Sequence, residues 1–177
     1  GPKICTDFLI EFIEQKRDKP FFAYYPMLSV HSPFLPTPDS KNRKHKNAAD
    51  NYRDMVSYMD KCVQRLVDTL DKNGLRNNTI VIFTTDNGTH TSLSYPYNGE
   101  IRKGEKAYPT DGGCHAPLIV NCPGTVTPGF ETDDLVDFSD FLPTLAEVGN
   151  AKLPEVTLDG QSFWPQCTGK PGSPREW

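Results

Sequence analysis

The feature that most constrains the fold of this chain is an unbroken run of apolar and β-branched residues at 79–84. Because apolar and polar residues do not alternate within it, the run predicts a strand buried on both faces. Asp86 and Asn87 follow almost at once and would lie at the carboxyl end of that strand. Ligands bind at this edge in open α/β sheets, and neighbouring oxygen donors suit Mg²⁺ or Ca²⁺. The pattern therefore predicts a metal site.

A hairpin is the competing interpretation, because Asn87-Gly88 is a strong signal for a two-residue turn. A hairpin needs a second strand directly after the turn. Residues 89–113 show no period-2 alternation, and we interpret them as a polar loop punctuated by Gly and Pro. Loops of that length inside compact domains are usually functional or disordered. The sequence thus favours the metal site.

The composition limits the class of protein without naming a function. The chain has 177 residues, of which 36% are hydrophobic, and its net charge is −4. This length allows a real hydrophobic core, and the charge gives no basic footprint for nucleic acid. No stretch approaches the roughly 18 apolar residues of a membrane-spanning helix. We therefore expect no nucleic-acid partner and no membrane span in this chain.

The five cysteines are widely spaced and include no C-x-x-C pair, which argues against a zinc ribbon. An odd number leaves at least one thiol unpaired in a monomer. We predict that Cys62 is a small buried residue of the long helix described next.

Helices and strands alternate along the first half of the chain. A helix is predicted over 6–16, with Thr6 or Asp7 as its N-cap, and a short aromatic strand over 21–25. The clearest element is a helix over 48–73, with one apolar stripe and Gly74 as its C′ residue.

The second half continues the alternation. Residues 117–120 predict a third strand, and 135–148 predict a helix in which Pro143 causes a kink or a break into two short helices. An irregular tail is expected at 154–177. Strands separated by helices indicate an α/β fold with a mixed, mainly parallel sheet flanked by helices. Three strands leave much apolar surface without a partner, which suggests that residues 1–177 belong to a larger domain.

Several segments, in order, resemble the sulfatases of the alkaline-phosphatase-like superfamily. Residues 20–33 resemble the family's strand and its His-x-Pro turn, and 85–88 resemble its metal-binding motif. Residues 103–117 are similar to its lysine loop and the following acidic-Gly-Gly segment. Residues 137–144 and 158–160 resemble the segments that close the large domain. The resemblance implies a partial alkaline-phosphatase-like domain.

The resemblance also implies roles for individual residues. Asp86 and Asn87 would be two ligands of one divalent cation, Ca²⁺ or Mg²⁺. His31 would act at the leaving oxygen of a sulfate ester, and Lys106 would neutralise the sulfuryl oxygens. These roles agree with the chemistry, because a cation, a lysine and a proton donor stabilise the charge that develops during sulfuryl transfer.

Two further residues are candidates for substrate binding. Lys106 lies five residues before Asp111, which is the spacing of the family's lysine to its acidic-Gly-Gly segment, and Lys103 is the alternative to it. His115 occupies a position where relatives carry Arg or His.

The family's nucleophile is a formylglycine made from the Cys or Ser of a C/S-x-P-x-R motif, and residues 1–177 contain no such motif. The early pair of aspartates that completes the family's metal site has no counterpart here either. We therefore interpret the chain as the carboxyl-terminal portion of one sulfatase catalytic domain, with the formylglycine in an amino-terminal part outside it. On this interpretation the chain alone is inactive.

Three functions remain open at this point. The first is hydrolysis of a sulfated small molecule or carbohydrate by a sulfatase that is periplasmic, secreted or lysosomal, as the family commonly is. The second is hydrolysis of phosphate or phosphonate esters within the same superfamily. The third is a non-catalytic, metal-stabilised binding module. The nucleophile motif in the whole reading frame would separate them.

Overall fold

The computed structural model describes residues 1–44 and 46–176, and the chain divides into two compact units, Gly1–Ile119 and Val120–Trp177. The first unit contains helices α1 (Pro2–Lys16), α2 (Ala48–Lys72) and α3 (Asp111–Cys114). It also contains strands β1 (Val81–Thr84), β2 (Ser94–Tyr97) and β3 (Glu100–Lys103) and the start of β4 (Leu118–Asn121). Helices α4 (Phe141–Val148) and α5 (Trp164–Cys167) lie in the second unit. Short 3₁₀ turns occur at Arg76–Asn78 and Phe138–Asp140.

Helix α1 begins at Pro2, so the predicted start at Thr6 is wrong. Proline suits the first turn, because its φ is already helical and its missing N–H needs no acceptor there. Thr6 lies inside the helix, where its hydroxyl donates to the carbonyl oxygen of Pro2 at 2.9 Å. The Thr6 side chain therefore bonds to the preceding turn of the helix and does not cap its amino end.

Helix α2 confirms the prediction from its apolar stripe. The Asn47 side chain accepts the N–H groups of Ala49 and Asp50 at the amino end, and Gly74 adopts a φ of +68° beyond the carboxyl end. The helix packs against α1, and Cys62 is buried as expected. An ion pair of 2.6 Å between Arg65 and Asp7 joins the two helices.

The aromatic segment 21–25 is not a strand, so that prediction is wrong. No strand among residues 1–44 and 46–176 pairs with it. Side chains hold it to α1 instead: Phe21 packs edge-on against Phe12, and the Tyr25 hydroxyl donates to the Pro2 carbonyl oxygen at 2.9 Å. Phe22 is 71% exposed, so the segment is extended but only partly covered.

Strand β1 pairs with β4 in a two-stranded sheet. Its four residues are all half-buried, so the predicted complete burial on both faces is wrong. A strand with a single neighbour is covered less fully than a central strand. Strands β1 and β2 do not pair, which rules out a hairpin turn at Asn87-Gly88.

A hairpin does occur further along, in residues predicted to be a loop. Strands β2 and β3 are antiparallel, with Ser94 opposite Lys103 and Tyr97 opposite Glu100. Their turn is Asn98-Gly99, where both residues have positive φ (49° and 83°), as a type I′ turn requires. The prediction of an unstructured loop is therefore wrong for 94–103.

In the second unit, the helical region begins with the 3₁₀ turn Phe138–Asp140 and continues as α4. Pro143 is the third residue of α4, where a missing N–H disrupts no helical bond, so the predicted break at Pro143 does not occur and α4 continues to Val148. Asp140, only 2% exposed, receives hydrogen bonds from Nε and Nη2 of Arg175 at 2.9 and 2.7 Å. The backbone N–H groups of Asp137 and Gln161 also donate to it.

None of the helices in the residues described is long and apolar enough to span a membrane. Cys5, Cys62, Cys114 and Cys167 are free thiols.

Candidate active site

The loop after β1 carries Asp86 and Asn87 and is fixed by its backbone. The N–H of Gly88 donates to the carbonyl oxygen of Gly113 at 2.9 Å. A Cβ on Gly88 would overlap the carbonyl oxygen of Gly112. Only glycine permits this close approach of two backbones, which holds the loop against the acidic-Gly-Gly segment.

The two predicted metal ligands have oxygen atoms available. Asp86 is exposed, and within residues 1–44 and 46–176 its carboxylate makes no hydrogen bond or ion pair. The Asn87 amide nitrogen donates to the carbonyl oxygen of Gly88 at 3.2 Å. That bond engages the amide nitrogen, so the amide oxygen is the atom of Asn87 that could bind a cation.

These donors fit a hard cation as part of a larger ligand set. Carboxylate and carboxamide oxygens are the ligand types of Ca²⁺ and Mg²⁺, and Ca²⁺ takes about six to eight of them. Within the part of the chain that the structure describes, no group of three or more His, Cys, Asp or Glu residues could hold a metal ion. Asp86 and Asn87 can therefore contribute two ligands but cannot enclose the ion.

Lys106 is tied to the same loop. Its backbone N–H donates to the carbonyl oxygen of Thr89 at 2.9 Å, and its side chain is half-buried. Two residues earlier, Gly104 is buried, and a Cβ there would overlap the carbonyl oxygen of His90. Lys103 instead lies exposed at the end of β3. The backbone bond thus places the Lys106 segment beside the loop of Asp86.

His31 is exposed, and its Nδ1 lies 2.7 Å from the carbonyl oxygen of Ser32. A carbonyl oxygen can only accept, so Nδ1 carries a proton and Nε2 is the nitrogen that can exchange one. Three residues later, the ring of Phe34 packs edge-on against His90, with centroids 5.6 Å apart. Asn51 of α2 donates to the Phe34 carbonyl oxygen at 3.0 Å. The His31 segment is thereby held against the loop that follows Asp86.

His115 takes part in a small exposed cluster of charges. Its Nδ1 lies 3.1 Å from Oδ1 of Asp111, and the other carboxylate oxygen of Asp111 lies 3.6 Å from Nη1 of Arg102. Gly113, two residues before His115, accepts the backbone N–H of Gly88 in the loop of Asp86.

His90 was not among the predicted site residues, although it lies between the segments of His31 and Lys106. The available sequence signal was its position four residues after Asp86. Its contact with Phe34 spans 56 residues and has no local sequence signal.

The sulfatase family model matches residues 2–151. Rat (Rattus norvegicus) steryl-sulfatase is 34% identical over 167 residues, which cover 90% of this chain and 28% of that protein. The PsFucS1 sulfatase from Pseudoalteromonas sp. superposes with a TM-score of 0.81 at 25% identity, over 98% of this chain and 35% of the other. The phosphonate monoester hydrolase SpPMH from Silicibacter pomeroyi superposes with a TM-score of 0.55 at 25% identity, over 72% of this chain and 23% of that protein.

These similarities define a partial α/β domain of the alkaline-phosphatase-like type, and they confirm the predicted fold class. The chain belongs to the sulfatase family. It spans less than a third of the length of the steryl-sulfatase that it matches.

Proposed function

We propose that the protein hydrolyses sulfate esters and that this chain supplies the cation ligands, the lysine and the proton donor of the active site. One observation carries the proposal: the loop of Asp86 and Asn87 is hydrogen-bonded to the Lys106 segment and contacts the His31 segment through His90 and Phe34. Residues separated by up to 75 positions in the sequence thus belong to one continuous set of contacts.

Each residue would have a distinct task. Asp86 and Asn87 would hold a Ca²⁺ or Mg²⁺ ion, whose positive charge stabilises a sulfuryl oxygen when it is bound. The Lys106 ammonium would neutralise further sulfuryl oxygens. His31, whose Nδ1–H donates to the Ser32 carbonyl oxygen, would in its imidazolium form deliver the Nε2 proton to the departing oxygen. Lys103 and His115 remain candidates for contacts with the rest of the substrate.

The attacking group would come from outside these residues. The family's formylglycine requires a C/S-x-P-x-R motif, which residues 1–177 lack. We therefore expect the 177-residue chain alone to show no sulfatase activity. The substrate would be a sulfated small molecule or carbohydrate, and the protein would be periplasmic, secreted or lysosomal, as sulfatases commonly are.

Phosphonate ester hydrolysis is the second candidate, and the likeness to the phosphonate monoester hydrolase supports it. The same cation and lysine would stabilise the oxygens of a phosphonate. A non-catalytic binding module would instead come from a reading frame without any nucleophile motif.

The test uses the protein encoded by the whole reading frame. We expect it to hydrolyse a chromogenic aryl sulfate with a higher kcat/KM than the matching aryl phosphonate and aryl phosphate. We expect Asp86→Ala to abolish the activity at limiting Ca²⁺, whereas Asp133→Ala, an exposed aspartate of the second unit, should leave it unchanged. Faster turnover of the phosphonate would support the second candidate, and no turnover of any ester would support the binding module.

A further inference from the structure

The side chain of His90 is held in one orientation by two kinds of contact. Its Nδ1 accepts the backbone N–H of Ser92 at 3.1 Å and lies 2.9 Å from the Ser92 hydroxyl oxygen. Its ring packs edge-on against Phe34 at an interplanar angle of 89°. Tyr52 of α2 packs against Phe34 in turn, with ring centroids 5.3 Å apart.

The contact with Ser92 defines which ring nitrogen can donate. A backbone N–H is always a donor, so Nδ1 of His90 presents its lone pair to Ser92, and the ring proton lies on Nε2. His31 has the opposite arrangement, because its Nδ1 faces a carbonyl oxygen that can only accept. Nε2 of His31 can therefore exchange a proton, whereas Nε2 of His90 is a hydrogen-bond donor.

The position of His90 places this donor beside the proposed site. The preceding residue, Thr89, accepts the backbone N–H of Lys106, and the carbonyl oxygen of His90 lies against Gly104. No hydrogen bond within the described part of the chain engages Nε2 of His90. A half-buried, oriented donor without a protein partner is suited to an acceptor supplied by a ligand.

We propose that His90 is a further substrate-binding residue, whose Nε2–H donates a hydrogen bond to an oxygen of the sulfate group. The sulfate oxygens of an ester carry no proton and only accept, so they match a nitrogen that only donates. This inference rests on the proposed function. It assigns His90 to binding of the anion and leaves proton transfer to His31.

The test separates the donor from the packing of the ring. His90→Phe keeps an aromatic ring beside Phe34 but removes the donor, and His90→Gln restores an N–H near the position of Nε2. Tyr52→Leu loosens Phe34 without changing the donor and serves as the packing control. The readouts, for the protein of the whole reading frame, are KM for an aryl sulfate and the inhibition constant of inorganic sulfate.

We expect His90→Phe to raise both constants about 10- to 100-fold, as loss of a hydrogen bond to a charged group does. His90→Gln should recover most of the loss, and Tyr52→Leu should leave inhibition by sulfate unchanged. If the wild-type protein is active and His90→Phe binds sulfate as tightly as wild type, the inference about His90 is wrong while the proposed function stands. A wild-type protein without sulfatase activity overturns both.

A second measurement does not depend on activity. Nitrogen-15 NMR of the histidine-labelled protein should show the ring proton of His90 on Nε2 and that of neutral His31 on Nδ1. A ring proton on Nδ1 of His90 would overturn the inference even if His90→Phe fails to fold.

Discussion

The backbone N–H of Lys106 donates to the carbonyl oxygen of Thr89 across 2.9 Å. This bond joins the lysine loop to the loop of Asp86 and Asn87 without relying on any side chain. The position of the Lys106 segment is therefore set by the backbone of the fold.

The two candidate lysines should differ in their effect on activity. We expect Lys106→Ala to lower kcat/KM for an aryl sulfate about 100-fold or more, because in the proposed function the Lys106 ammonium neutralises the sulfuryl oxygens. Lys103→Ala, on the exposed hairpin, is the matched control and should cost no more than a few-fold. Steady-state kinetics of both variants decide between them, and a larger loss for Lys103→Ala would reverse the assignment.

Gly88 should not tolerate a side chain. Because a Cβ there would overlap the Gly112 carbonyl oxygen, we expect Gly88→Ala to lower the free energy of unfolding by about 1–3 kcal/mol and to impair activity. Gly149→Ala is the control. Gly149 has a φ of −81°, which any residue can adopt, and an added Cβ would lie 3.1 Å from its nearest neighbour, the Leu145 carbonyl oxygen. Denaturant unfolding measures both variants. Equal stability of Gly88→Ala and wild type would show that the two loops are not in close contact.

Local signals predicted some elements well. Helix α2 has an apolar stripe along its length and a glycine, Gly74, just beyond its carboxyl end. Both are local signals, and they predicted the end of the helix to within one residue. The hairpin of β2 and β3 also had a local signal, the turn Asn98-Gly99. It was not predicted because Pro96 lies in β2 and most residues of both strands are exposed, so apolar and polar residues do not alternate.

Other features depend on contacts that no local pattern contains. The segment 21–25 has a strand-like composition, but composition cannot supply a neighbouring strand, and its aromatic side chains pack on α1 instead. The contact of Phe34 with His90 likewise follows from the fold. Sequence motifs predict Asp86, Asn87 and Lys106 as candidate site residues, whereas the position of His90 beside Phe34 follows from the fold alone.

The buried ion pair of the second unit should contribute strongly to stability. Removing Arg175 leaves the Asp140 carboxylate buried without its counter-charge, so we expect Arg175→Ala to lower the free energy of unfolding clearly more than loss of an exposed ion pair does. Lys152→Ala breaks the exposed pair with Glu155 and should cost less than about 1 kcal/mol. Urea unfolding of the two variants provides the comparison. Similar small losses would mean that Arg175 does not hold Asp140 in solution.

The same pair predicts a dependence of stability on pH. Burial alone would raise the pKa of Asp140, but hydrogen bonds from Arg175 and from the Asp137 and Gln161 amides outweigh it and hold the pKa below 3.8. Because its pKa is lowered, the Asp140 carboxylate stabilises the folded protein fully at pH values above 3.8. This contribution is lost as the pH falls through the lowered pKa. The free energy of unfolding, measured at decreasing pH from about 3.8, should fall in the wild-type protein and fall less in Asp140→Asn. An identical acid dependence in both proteins would assign the effect to other carboxyl groups.

Calcium binding by the 177-residue chain should be weak. Asp86 and Asn87 supply two oxygen donors and one formal charge, whereas tight Ca²⁺ sites use about six to eight donors. Titration calorimetry should therefore detect no binding at about micromolar Ca²⁺. Tighter binding that is lost in Asp86→Ala would show that this chain completes the ligand set by itself.

The most direct test of the proposed sulfatase site is the effect of His31→Ala on aryl sulfates with good and poor leaving groups, in the protein of the whole reading frame. A general acid matters most when the departing oxygen is strongly basic, so the loss in kcat/KM should be at least about tenfold larger for the poor leaving group. Equal losses for both esters, or undiminished hydrolysis, would contradict the account.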